Sequence, residues 1–224
     1  LAETLKASEE MLRKAATLSV ELKASETGSI AAVKVTNETG HKLPTGYAEG
    51  RRMWINLSAY DDQGHLVYES GNYNLASGVL ADNAKIYEIK QGITPDLAKV
   101  LDLPAGESFH FVLNNTVVKD NRIPPRGFSE AALNNKILQP VGAVYQPGQY
   151  WDETIFQVPQ ATKMVKATLY YQTASKEYID FLRTRGGLDG YSLGLIWDDL
   201  KSPPVEMAQA SDYAYKVFLP YQIK

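Results

Sequence analysis

The chain has 224 residues, 44% hydrophobic and 22% charged, with 16 glycines, 11 prolines and no cysteine. This composition excludes collagen-like, coiled-coil and disordered chains, and at this length roughly 70% of the unfolded surface is buried without covalent staples. The net charge of −3 offers no general nucleic-acid or anionic-membrane surface, and no apolar run approaches the ~18–20 residues of a membrane span.

Leu1, Leu5, Leu12 and Ala15 fall on one helical stripe, with Glu3, Lys6, Glu9, Glu10, Arg13 and Lys14 elsewhere, so the spacing predicts a helix over about 2–15. Those charges set it apart from a signal peptide; the signal was removed or the chain is a fragment. The period then changes to strict alternation. Leu18, Val20 and Leu22 predict a strand over about 17–24, with Val33 and Val35 on its partner at about 30–37. Met53, Ile55, Leu57 and Ala59 predict a strand at 53–60, and the Asp61-Asp62-Gln63-Gly64 turn returns the chain along 65–70. A short strand is expected at 85–90, and a stronger one at about 107–114 with Phe109, Phe111 and Leu113 on one face. Pro124, Pro125, Pro140, Pro147 and Pro159 predict ordered loop with short strands over 116–160. Val165, Ala167, Leu169 and Tyr171 give a strand at about 164–172. Ser175 then caps a helix that stops at Gly186-Gly187, and Tyr215–Leu219 reads as a last strand. The expected architecture is mainly β: an antiparallel β-sandwich over 17–224, preceded by a linking helix over 1–16 and carrying one or two short helices in its C-terminal half.

The chemistry concentrates in two segments. The first, Asn37 to Tyr47 followed by Glu49-Gly50-Arg51-Arg52, holds two glycines and Pro44 in a loop between strands, and His41 is its one side chain that titrates near neutral pH. Either His41 ligates a metal or haem iron or relays a proton, or its ring bonds the loop itself through Thr39 or Thr45. The second is Lys119–Phe128, where Arg122 and Arg126 flank a stiff Pro-Pro pair. Guanidinium groups held this way suit a carboxylate or a haem propionate, or an internal pair with Asp120, Glu49 or Glu69. The two loops are expected to meet at one end of the sandwich.

The run Asn37-x-Thr39-Gly40-His41-x-x-Pro44-Thr45-Gly46, then Arg51-Arg52-Met53-Trp54, resembles the start of a family of β-sandwich domains found at the C-terminal end of bacterial multihaem c-type cytochromes. Tyr68-Glu69-Ser70-Gly71, Asp120 to Phe128, Pro140-Val141-Gly142-Ala143, Tyr170-Tyr171-Gln172-Thr173, Ser175-Lys176-Glu177-Tyr178 and Ser202-Pro203-Pro204-Val205 follow in the same order, over about residues 17–208. The resemblance implies a periplasmic or extracellular location and an electron-transfer setting. It names no catalytic residue. The departure is the absence of any C-x-x-C-H: no haem is bound covalently in this chain, and haem contact must come from a partner or a missing segment.

The expected function is therefore a non-haem structural or interaction module of an exported multihaem cytochrome system, without a catalytic constellation. Its cofactor-contacting candidates are His41, Arg51, Arg52, Arg122 and Arg126, and its partner is a haem-bearing protein or segment; a homo-oligomer stays open. Three alternatives remain. His41 with His110 is a two-histidine copper site; Asp61, Asp62, Asp82 and Asn83 offer oxygens to calcium; and Tyr145, Tyr150 and Trp151 offer aromatic platforms to carbohydrate, which would make this a surface-matrix sandwich without redox role.

Overall fold

The computed structural model describes residues 2–25, 28–46, 50–135 and 138–214. Helix α1 (Ala2–Ala15) runs without a break into β1 (Ala16–Ser25), which pairs antiparallel with β2 (Gly28–Asn37). β3 (Arg52–Tyr60) turns at Asp61–Gly64 into β4 (Leu66–Ser70), and the small hairpin β5 (Tyr73–Asn74) and β6 (Val79–Leu80) follows. Next come β7 (Lys85–Tyr87), β8 (Ile89–Ile93), α2 (Pro95–Leu101), β9 (Gly106–Glu107), a 3₁₀ turn (Phe111–Leu113), β10 (Thr116–Asp120) and the one-turn helix α3 (Glu130–Leu133). β11 (Trp151–Val158), β12 (Met164–Gln172), the helices α4 (Lys176–Arg185) and α5 (Gly187–Leu200), and β13 (Val205–Tyr213) complete the order.

Two antiparallel sheets make the sandwich: β1-β2-β11, and β13-β12-β3-β4 with β7 also on β3. Alternation explains the layers. Val33 and Val35 of β2 face Ile55, Leu57 and Ala59 of β3 and Val165, Ala167 and Leu169 of β12 in one buried cluster, with Leu18 and Val20 half-buried against it. β3 is buried on both faces, because Trp54 on its outer side is covered by Tyr73 (5.7 Å) and Tyr170 (5.5 Å) and donates from Nε1 to Gly71 O. At one side the sheets close on each other, where β1 packs beside β13 and the Leu22 amide donates to the Asp212 carboxylate.

Several expected elements need correction. The 107–114 strand is not one: only Gly106–Glu107 pairs with β8, and the chain then turns 3₁₀. Ser108 Oγ accepts the His110 amide and Asn114 Nδ2 donates to Ser108 O, so local side-chain bonds hold this segment in a turn. Phe109 and Phe111, expected on one face of that strand, pack on Tyr178 of α4, outside the sandwich core. Within 116–160 the chain forms a full eight-residue strand, β11, because its prolines flank 151–158 and, among the described residues, β2 is its one sheet partner. Gly186-Gly187 ends α4 but also starts α5, and α2 and β13 were not anticipated. The expected Tyr215–Leu219 strand lies outside the described residues.

Candidate functional site

The two loops singled out in the sequence do meet. Asn37, the fully buried last residue of β2, shares its side-chain N–H groups among His41 O (2.7 Å), Ile123 O (2.9 Å) and Pro124 O (3.0 Å). Its Oδ1 accepts from the amide and hydroxyl of Thr39, both at 2.8 Å. Leu43 and Ile123, both buried, exchange backbone bonds of 2.9 and 3.0 Å, a two-residue ladder between the loops. One side chain thus dictates the path of both loops, and a cis Leu43–Pro44 peptide sits at their junction.

Electrostatics then sort the cations. Asp120 is 2% exposed at its side chain and accepts from Arg122 Nε (2.8 Å) and Nη2 (2.9 Å) and from Lys42 Nζ (2.7 Å). Burial alone would raise the Asp120 pKa, but the hydrogen bonds from Arg122 and Lys42 outweigh it and hold the carboxyl below its ordinary value. Arg126 reaches Glu38 at 3.3 Å and lies over the Tyr150 ring at 4.9 Å. Arg51 donates to Thr45 O at 3.0 Å and has no acidic partner among the described residues. Arg52 is turned inward, to Gln172 Oε1 (2.8 Å) and Glu177 Oε2 (3.3 Å).

His41 is exposed, and its ring makes no hydrogen bond among the described residues; Thr39 and Asn37 engage its backbone instead. Two clefts flank it. One, of about 450 Å³, is lined by His41, Lys42, Arg122, Arg126 and Phe128. The other, of about 400 Å³, has an apolar wall of Met11, Leu12, Leu43, Pro44 and Met207, with Lys14, His41 and Arg51 among its polar groups. His41 therefore shares one cleft with Arg51 and the other with Arg122 and Arg126. Arg52 lines neither, and His110 lines a separate cleft with Phe181, whose ring it meets edge-on at 4.9 Å.

Of the other candidate groups, Asp61, Asn83, Tyr145, Tyr150 and Trp151 have partners within the structure. Asp61 Oδ1 accepts the amides of Gln63 and His65, and Asn83 bridges Gly71 N and Glu69 O. Among the described residues no three His, Cys, Asp or Glu side chains gather as a metal site. Tyr145 is buried and donates to Asn121 O, while Arg126 and Lys34 cover the rings of Tyr150 and Trp151. The sequence places Asn37 and Lys42 in the loop segment without showing their roles. Asn37 had a readable signal, an Asn two residues before Thr39, the pattern of a side chain that folds back on its own backbone.

No protein-family model and no curated protein matches the chain. The fold has a solved counterpart. A penta-heme cytochrome c552 from Thermochromatium tepidum superposes with a TM-score of 0.57 at 16% identity, over 92% of this chain. This chain spans 41% of that one, and at such identity the likeness is one of fold. No helix among the described residues is long and apolar enough to cross a membrane.

Proposed function

We propose that the chain is a non-haem interaction module of an exported multihaem cytochrome electron-transfer system, working in the periplasm or outside the cell. The observation that carries this reading is a fold shared with a penta-heme cytochrome by a chain without a single cysteine. Haem-bearing sequence then lies in a partner or elsewhere in a longer protein. The motif run from Asn37 to Trp54 supports the same setting.

The residues around His41 fit the edge of a haem presented from outside. The exposed imidazole has no competing hydrogen bond among the described residues, Met11, Leu12, Leu43 and Pro44 offer an apolar wall, and Arg51 and Lys14 suit propionates. Haem would supply the electron-carrying centre; His41 would orient it and Arg51 would balance its charge. Arg122 and Arg126 serve the loops, through Asp120 and Glu38. Protein purified from its source should carry a Soret band through size exclusion, and His41→Ala should change that band or lose it at unchanged melting temperature. A haem-free preparation, or a band indifferent to His41→Ala together with binding to glycans, would replace this reading with a carbohydrate-binding surface module.

A further inference from the structure

A further, smaller cavity of about 150 Å³ lies between β7–β8, the residues leading into β3, and the start of α4. Arg52 forms part of its wall and is 5% exposed. Nε and Nη1 of Arg52 are held by Gln172 and Glu177, but the buried Nη2 has no partner among the described residues. A guanidinium carries five N–H donors in a fixed fork, and a buried charged donor left unmade is costly, so this nitrogen has capacity for one further acceptor.

The surrounding charge says which acceptor. Arg51, Arg52 and Lys90 line the cavity against Glu88, Glu107 and Glu177, three charges of each sign, and Lys119 behind the wall holds Glu88 at 2.8 Å, which leaves one positive charge in excess among the described residues. Lys90 pairs with Glu107 at 3.0 Å and Glu177 with Arg52 at 3.3 Å, so Arg51 is the cation without an acid among the described residues. Ser175 caps α4 here, and the first turn of that ten-residue helix adds the positive end of its dipole. A divalent anion would face three carboxylates; a monovalent one neutralises the excess. At ~30 Å³ per water-sized group, the space holds roughly five non-hydrogen atoms.

We propose that this cavity binds a small monovalent carboxylate of the size of acetate or propionate, bridging Arg52 Nη2 and Arg51. The site shares Arg51 with one of the His41 clefts but differs from them in its inner wall, formed by Arg52, and in its ligand. It is tested on the purified full chain without any haem protein, so its outcome does not depend on the cytochrome reading. Sodium acetate is titrated at constant ionic strength against sodium chloride, following Trp54 fluorescence, since the Arg52 guanidinium lies 5.7 Å from that ring. Crystals are soaked in bromoacetate and bromine is located by its anomalous signal. Expected are saturation by acetate and not by chloride, bromine inside the cavity, and about tenfold weaker binding in Arg51→Ala, one charge-assisted contact's share. An equal response to both salts, a cavity holding water alone at saturating bromoacetate, or an Arg51→Ala variant that binds acetate as well as the parent would overturn it. Arg51→Ala is used because Arg51 is a half-buried loop residue, whereas removing Arg52 would strip a buried ion pair.

Discussion

Asp120 is the ionised residue that ties the two loops together. Its carboxylate meets three donors from Lys42 and Arg122 in a nearly closed environment, and removing one partner of such a group leaves the others buried and unpaired. Asp120→Asn should therefore lose about 3–5 kcal/mol in urea unfolding at pH 7. The pH dependence has a definite sign. Because the folded-state pKa lies below the ordinary carboxylate value of about 4, the unfolded chain binds the extra proton first. This carboxyl's contribution is complete above that ordinary value and is lost as pH falls through the lowered native one. Unfolding curves at pH 7 and pH 3 should show a smaller acid loss in Asp120→Asn than in the parent. Of the two roles the sequence allowed Arg122, the internal pair with Asp120 is realised. The acid met by Arg126, Glu38, was not among those anticipated, since the two residues come together only through the contact between loops.

Among the elements, strands with clean alternation were legible: the predicted 164–172 coincides with β12, and 53–60 misses only Arg52 of β3. Failures occurred where pattern and partner disagree. Phe109, Phe111 and Leu113 alternate like a strand, but side chains of Ser108 and Asn114 close a turn and the aromatic rings find Tyr178 and Phe181. The second helix of the α4–α5 hairpin was hidden because glycine reads as a stop. Here it permits contact: a Cβ on Gly190 would lie 2.1 Å from the Leu182 carbonyl oxygen. Gly190→Ala should force the helices apart at a cost of about 1–3 kcal/mol, read as a lower urea midpoint and a red-shifted emission as buried Trp197 meets water. Gly40→Ala, where a Cβ meets nothing within 4 Å, should stay within about 0.5 kcal/mol.

For the molecule as a whole, the fold class was readable because several alternating segments with turn residues between them admit few other architectures. How the sheets close was not: the Leu22 amide finds the Asp212 carboxylate 190 positions away, a contact that no local pattern encodes. The apolar cluster between the sheets is assembled from this chain's own side chains, with Val33, Val35, Ile55, Leu57, Val165 and Leu169 fully enclosed. A chain produced in cells unable to attach haem should therefore fold, with β-type far-ultraviolet dichroism, a cooperative thermal transition and no visible absorption. Recovery only as an aggregate, rescued by a haem-bearing partner, would mean that the sandwich is half of a core and not a whole one.

The buried side chain that joins the two loops has a consequence for production hosts. Asn37-Glu38-Thr39 is an acceptor tripeptide for N-linked glycosylation, and the sugar is attached to the same amide nitrogen that here serves three carbonyl oxygens with no access to solvent. In a eukaryotic secretory pathway, where oligosaccharide is transferred to chains still unfolded, modification at Asn37 and closure of the loops exclude each other. Mass spectrometry of the folded, secreted fraction should find Asn37 bare, with any glycan at that position confined to misfolded or retained material.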